Sequence, residues 1–149
     1  MCYCGLEKSF EDCCKVYISG EKNAPNAQAL MRSRYSAYVI HDMTYIQKTM
    51  MGPALENFNE HQQDFNPCFI KLEIIQSSTY QVEFKAYYIQ NQRVGVLHEL
   101  SDFVLQDHAW FYIQGQLFKT QSKSISLNLP CPCGSGKKFK NCETSHRLK

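Results

Sequence analysis

Two cysteine-rich segments, one at each end of the chain, constrain what this sequence can fold into more than any other feature. The first reads CYCGLEKSFEDCC over residues 2–14, and the second reads CPCGSGKKFKNCE over residues 131–143. Both contain C-x-C-G, then Lys-x-Phe, then a cysteine after eight intervening residues. Phe10 and Phe139 occupy equivalent positions. Such a repeat at both termini indicates one small module used twice.

The repeated spacing predicts a metal site in each segment. A segment this short cannot bury a core of its own, so bound metal would supply the missing folding free energy. Zn²⁺ prefers four tetrahedral ligands, commonly four thiolates or three thiolates and a histidine. The predicted ligands are Cys2, Cys4, Cys13 and Cys14 in the first segment, and Cys131, Cys133, Cys142 and His146 in the second.

Alternatives to these ligand sets stay open. His146 follows the last cysteine at a spacing that zinc sites use, but Glu143, a water molecule or a tail without metal would also fit the sequence. In the first segment, the alternatives are a redox pair at Cys13 and Cys14 or reduced surface thiols. The eighth cysteine, Cys68, starts an apolar strand and is interpreted as a packed core thiol.

Composition narrows the class of protein. The chain has 149 residues, 44% of them hydrophobic and 20% charged, which excludes a wholly disordered protein. No apolar stretch is long enough to span a membrane, and the first twenty residues lack the apolar region of a signal peptide. We therefore expect a cytoplasmic protein, where disulfides are disfavoured and metal sites account for the cysteines.

The mild net charge of +2 conceals a basic C-terminal segment. Residues 128–149 contain five basic groups and one acidic group. Lys137, Lys138 and Lys140, with Phe139 beside them, would provide phosphate contacts and a stacking surface for RNA, or would face an acidic protein. The alternative is a solvated, fraying terminus.

The first half of the region between the two segments has a helical pattern. Apolar residues recur at helical spacing after Asn26, which is a predicted N-cap. Asp42 predicts the start of a second helix, and Pro53 suits the first turn of a third helix at about 54–64.

The second half has the alternating pattern of strands. Period-two alternation predicts an antiparallel meander with hairpin turns near 90–92 and at Gly115-Gln116. The predicted strands lie around 70–74, 82–88, 94–100 and 110–113. Helices followed by such a meander indicate the α+β class, with helices packed on one face of a curved antiparallel sheet.

Particular stretches carry a family resemblance. CPCGSGKKFKNC resembles the SEC-C motif found at the end of the bacterial preprotein-translocase motor. LMRSRYSAY, HELSDF and AWFY in the middle resemble the YchJ family, which places a nuclear-transport-factor-2-like (cystatin-like) domain between two such motifs. The division this implies is a first hook at 1–22, a body at 26–127 and a second hook at 128–149.

The resemblance implies function as well as fold. It implies zinc binding, with iron as an alternative, and it brings no established enzymatic activity with it. By analogy with the translocase motor, the hooks would dock a protein partner or the ribosome. The first hook departs from the motif, because Gly5-Leu6-Glu7 stands where Gly-Ser-Gly is usual. This departure predicts a stiffer loop or a different pattern of N–H···S hydrogen bonds.

A cavity between helices and sheet would offer a second site. Its candidate residues are Arg32, Tyr35, His98 and Trp110. The alternation along the third strand favours His98 as the inward residue, although a packed core histidine is the plainer interpretation. One arginine of the first long helix would pair with Glu99 or Asp102. No nucleophile–base pair stands out, so enzymatic activity is not predicted.

Three functions are therefore compatible with the sequence. The favoured one is a zinc-binding adaptor that docks protein or RNA partners through its hooks. The others are small-molecule binding or catalysis in the central cavity, and metal handling or redox chemistry at the cysteines.

Overall fold

The structure, a computed structural model, describes residues 1–58 and 67–142. In this part of the chain, short helices precede an antiparallel meander, as the α+β class requires. The helices are α1 (Lys15–Ile18), α2 (Ala27–Val39), α3 (Met43–Lys48) and α4 (Pro53–Glu56), and the strands are β1 (Cys68–Ser77), β2 (Gln81–Gln90), β3 (Arg93–Gln106), β4 (Ala109–Phe118) and β5 (Lys123–Ser124). No helix within the described ranges has the length and apolar character needed to cross a membrane.

The helix starts follow the predicted capping residues. The side chain of Asn26 accepts a hydrogen bond from a first-turn N–H of α2 at 2.8 Å, and Asp42 does the same for α3 at 3.0 Å. Pro53 is the first residue of α4. The helix predicted at about 54–64 corresponds to α4, which is shorter because it ends at Glu56. Residues 59–64 of that prediction lie outside the described residues.

The sheet has the strand order β1-β2-β3-β4, and β5 pairs with the start of β3. Asn91 and Gln92 form the β2–β3 turn with φ of 54° and 60°, as predicted. The turn predicted at Gly115-Gln116 is wrong, since these residues lie inside β4. The chain reverses instead at Asp107-His108, where φ is 52° and 67°.

Gly115 has a steric role rather than a turning role. A Cβ atom at this position would collide with the carboxylate of Glu99 and lie 2.8 Å from the hydroxyl of Tyr112. The Tyr112 hydroxyl donates to Glu99 at 2.9 Å, so glycine makes room for this pair on neighbouring strands.

Each face of the sheet is covered by a different part of the chain. On β2, the buried residues Val82, Phe84 and Ala86 pack with α2 and with the cysteines of the first hook. Ile89 has the opposite parity on the same regular strand and packs with Ile125 and the second hook. We call these the inner and outer faces. The two hooks are therefore docked on opposite sides of one sheet.

Candidate metal centres

Four thiols meet in the first hook. The sulfur atoms of Cys2, Cys4, Cys13 and Cys14 all lie within 4.8 Å of one another. Their exposed fractions are 3%, 0%, 8% and 1%, so the cluster is inside the protein rather than on its surface. The turn at Gly5 and the start of α1 bring the two cysteine pairs together. These are the four ligands that the spacing predicts for this hook.

Three thiols meet in the second hook. The sulfur atoms of Cys131, Cys133 and Cys142 also lie within 4.8 Å of one another. Cys131 and Cys142 are buried, and Cys133 is half-buried. The two candidates for a fourth ligand, Glu143 and His146, lie outside the described residues.

The sequence repeat is also a backbone repeat. Gly5 donates to the carbonyl of Cys2 at 3.0 Å, and Gly134 donates to the carbonyl of Cys131 at 3.2 Å. Both glycines have positive φ, at 95° and 83°, where a side chain would be strained. The equivalent N–H groups of Cys13 and Cys142 donate to the phenylalanine carbonyls three residues earlier, at 3.1 Å and 3.2 Å. The same turn therefore presents the sulfurs in both hooks.

The sulfur spacing fits a tetrahedral metal. A Zn–S bond of about 2.3 Å places tetrahedral sulfurs about 3.8 Å apart. One pair in each hook is close to this value, at 3.7 Å between Cys4 and Cys13 and 3.6 Å between Cys133 and Cys142, and the other pairs lie within 4.8 Å. None of the eight cysteines, which all lie in the described part of the chain, forms a disulfide. These clusters could hold a metal ion, and thiolate sulfur is a donor that suits zinc and iron.

The thiols of the first hook differ in their pKa values. A hydrogen bond from Cys14 lowers the pKa of Cys4 to about 5, against the opposing effect of burial. The hydrogen bond with Cys4 raises the pKa of Cys14, and burial raises it further. Burial raises the pKa of Cys13 to about 11 and that of Cys131 in the second hook to about 12. A metal ion would displace the protons from the last three.

The first hook is joined to the body by polar contacts with α2, in addition to the packing of its cysteines in the main core. Arg32 donates from Nη1 to the carbonyl of Cys4 at 2.8 Å. The Oγ of Ser36 lies 3.8 Å from the Sγ of Cys2, and Ser36 is fully buried. Sequence patterns did not single out Ser36, because a serine inside a helix gives no signal of the segment that packs over it.

The second hook is joined to the body by apolar packing. Phe139 is 5% exposed and packs in one cluster with Ile89, Ile125 and two cysteines of the hook. The expectation that Phe139 offers a stacking surface is therefore wrong. The neighbouring Lys137, Lys138 and Lys140 are exposed, as a docking surface requires.

The four pocket candidates have different surroundings in the described part of the chain. Arg32 binds the first hook, and Tyr35 is 3% exposed, with its pKa raised by burial. Trp110 is 9% exposed and packs in the core beside Tyr80. An open concavity in the described part of the chain is lined by Tyr80 and Phe103 among others, but by none of the four candidates.

The interpretation of His98 as an inward residue is wrong. Its ring lies on the outer face, 2.7 Å from a carboxylate oxygen of Glu83 and 4.4 Å from the ring of Phe118. The inward residue is Glu99, which pairs with Phe84 of β2. Both faces of β3 have apolar residues because the second hook covers one of them, and the alternation is therefore ambiguous.

Two further predictions concern single side chains. The arginine tied to the sheet is Arg34, which is 4% exposed and donates to Thr49 at 2.6 Å. Its guanidinium lies 4.8 Å from the centre of the Tyr112 ring, whose hydroxyl reaches Glu99. Arg34 is thus connected to Glu99 through Tyr112 rather than directly.

Cys68 is half-buried at the start of β1, so it is less enclosed than the packed core thiol that was predicted.

Family models match the body and the second hook. Residues 26–115 match the model described as YchJ, middle NTF2-like domain, and residues 128–142 match the SEC-C motif. A UPF0225 protein of Shewanella sp. (strain MR-4) is 35% identical, over 95% of this chain and 94% of its own length. A UPF0225 protein of Enterobacter sp. (strain 638) is 37% identical, over 95% of this chain and 96% of its own length.

Solved structures with the same motif share the fold. The solution structure of a SEC-C motif containing protein from Rhodopseudomonas palustris has a TM-score of 0.68 and 28% identity, covering 79% of this chain and 98% of its own. The crystal structure of a SEC-C motif containing protein from Psychrobacter arcticus has a TM-score of 0.61 and 29% identity, covering 95% of this chain and 89% of its own.

Proposed function

The chain belongs to the YchJ (UPF0225) family of SEC-C motif proteins, and on that premise we propose that it is a zinc-binding adaptor. Each hook holds one metal ion, and the second hook docks an acidic partner protein. The observation that carries the proposal is the pair of thiol clusters built on one repeated turn. The division into a first hook at 1–22, a body at 26–127 and a second hook at 128–149 is part of it.

Zinc is the metal that the donors favour. Four thiolates in a closed, buried set are typical of structural zinc, which keeps no position open for a substrate. Bound metal gives each hook the rigidity that its few apolar residues do not supply. Iron is the alternative metal, since thiolate sets also hold it.

The surface of the second hook favours a protein partner over RNA. Three exposed lysines supply positive charge, but Phe139 is buried and gives no ring for base stacking. The exposed apolar groups nearby are aliphatic: Leu127 is 46% exposed and Leu129 is 60% exposed. Both are joined to the hook, because their carbonyls accept from Lys140 and Phe139 at 3.0 Å and 2.9 Å.

Elemental analysis tests the metal part of the proposal. Protein purified without added metal should contain about two metal ions per chain, mainly zinc, and Cys4→Ser should remove one of them. A ratio near zero that Cys4→Ser does not change would overturn the proposal.

Affinity capture at low salt tests the docking part. Lys137→Glu/Lys138→Glu should abolish capture of acidic proteins from a cell extract, because the charge that attracts them is reversed. Lys8→Glu is a matched control, since Lys8 occupies the position of Lys137 in the first hook and is also exposed. Equal capture by the unmodified chain, the double variant and Lys8→Glu would contradict docking at the second hook. Selective loss of bound RNA in the double variant would instead identify RNA as the partner.

A further inference from the structure

The two hooks differ in a residue that can contact their thiols. In the second hook, the Oγ of Ser135 lies 3.6 Å from the Sγ of Cys142. The equivalent position in the first hook is Leu6, which has no polar atom in its side chain and is 39% exposed. The first hook therefore lacks the hydroxyl group that its repeat provides from within the loop.

A hydroxyl group nevertheless reaches the first cluster, from elsewhere in the chain. The Oγ of Ser36 lies 3.8 Å from the Sγ of Cys2, although the two residues are 34 positions apart. Ser36 belongs to α2 and is 0% exposed. The contact between Arg32 and Cys4, one helical turn earlier, fixes the hook against the same helix.

Metal binding makes this contact directional. Cysteines that hold a metal ion are deprotonated, so they accept hydrogen bonds and cannot donate them. Four thiolates around one divalent ion leave a net negative charge, which is costly to bury unless donors surround it. A buried hydroxyl beside the thiolates lowers this cost, because hydrogen bonds to charged acceptors are the strong ones.

We propose that Ser36 is the hydroxyl donor to the first hook's metal centre, replacing from the body what Ser135 provides inside the second hook. This inference rests on the proposed metal binding. Ser36 is a positioning residue and not a metal ligand. The first centre is complete only when α2 is folded and docked, whereas the second centre carries its own donor. Metal affinity at the first hook is therefore coupled to the fold of the body.

The test measures Co²⁺ binding at the first hook alone. Cys133→Ser removes the second site, and the absorption of thiolate-bound Co²⁺ then reports the dissociation constant of the first. In this background, Ser36→Ala should raise the dissociation constant about 10-fold or more, as loss of groups that orient metal ligands does. Ser36→Thr, which keeps the hydroxyl, should bind like the parent.

Two further variants separate this role from a general structural one. Ser33→Ala is the matched control, because Ser33 is equally buried on α2 but bonds to the hydroxyl of Tyr45 at 2.8 Å. At a matched loss of stability, it should raise the dissociation constant less than Ser36→Ala does, because it leaves the hydroxyl beside the thiolates in place. Leu6→Ser should restore most of the affinity lost in Ser36→Ala, since it returns the hydroxyl to its place in the hook.

The outcomes are distinct. If the parent takes up no Co²⁺ at its first hook, the proposed function fails, and the inference fails with it. If Co²⁺ binds equally with and without the hydroxyl of Ser36, only the assignment of Ser36 is overturned. Rescue by Leu6→Ser would support the replacement of one hydroxyl by the other, and absence of rescue would contradict it.

Discussion

The two hooks have the same turn but opposite relations to the body. The thiols of the first hook belong to the main core, together with α2 and the inner face of the sheet. Those of the second hook belong to a small cluster on the outer face that holds three buried hydrophobic residues besides its cysteines. One module can thus serve as part of a core or as a cover for a sheet. The proposed difference is whether the hydroxyl donor to its thiols comes from the body or from its own loop.

The largest expected difference between the hooks is in global stability. Cys4→Ser should abolish cooperative unfolding of the whole chain, because metal contributes on the order of 10 kcal/mol in small zinc modules and this centre lies in the core. Cys133→Ser should leave the body folded, since its cluster lies outside that core. Urea unfolding followed by circular dichroism measures both. Equal losses in the two variants would show that the hooks are not energetically different.

A smaller difference concerns the two phenylalanines. Phe139→Ala should destabilise the docking of the second hook by about 3 kcal/mol, the usual cost of removing a buried ring. Phe10→Ala should cost less, because Phe10 is only half-buried and packs edge-on against Tyr3. Amide hydrogen exchange would locate the effect of Phe139→Ala in residues 125–142 and the end of β2. Exchange that rises across α2 instead would contradict separate docking.

The smallest expected effect is on the pH dependence of metal binding. The raised pKa values of Cys13 and Cys14 mean that both thiols hold protons at neutral pH, and metal must displace them. Affinity at the first hook should therefore fall as pH falls, by at least about 100-fold per pH unit for these two protons. The raised pKa of Cys131 makes affinity at the second hook fall in the same direction, by at least about tenfold per unit. Chelator competition between pH 6.5 and 8 measures both slopes, and a slope below these values at either hook would contradict the assignment of these cysteines as ligands.

The features that the sequence predicted well are those set by local chemistry. The cysteine spacing predicted which thiols meet, because a tight turn at a glycine allows few arrangements. Asn26 and Asp42 predicted helix starts because their side chains cap the neighbouring backbone. The alternation of apolar and polar residues predicted the meander because the direction of each side chain in a strand is set by its position relative to its neighbours in sequence.

The features that it predicted poorly depend on distant contacts. Gly115 looked like a turn, but it is glycine because Glu99 and Tyr112 occupy the space beside it. His98 looked inward because the second hook makes the outer face apolar as well. Ser36 gave no signal, since the hook that it contacts is 34 residues away in the chain.

Native mass spectrometry during slow removal of metal by a chelator tests whether the first hook's metal is part of the fold. A chain with two metal ions should first lose one ion while keeping compact charge states. Loss of the second ion should coincide with unfolding, seen as a shift to high charge states, and Cys133→Ser should remove only the first step. A compact chain that carries no metal at any stage would contradict the claim that the first hook's metal is part of the fold.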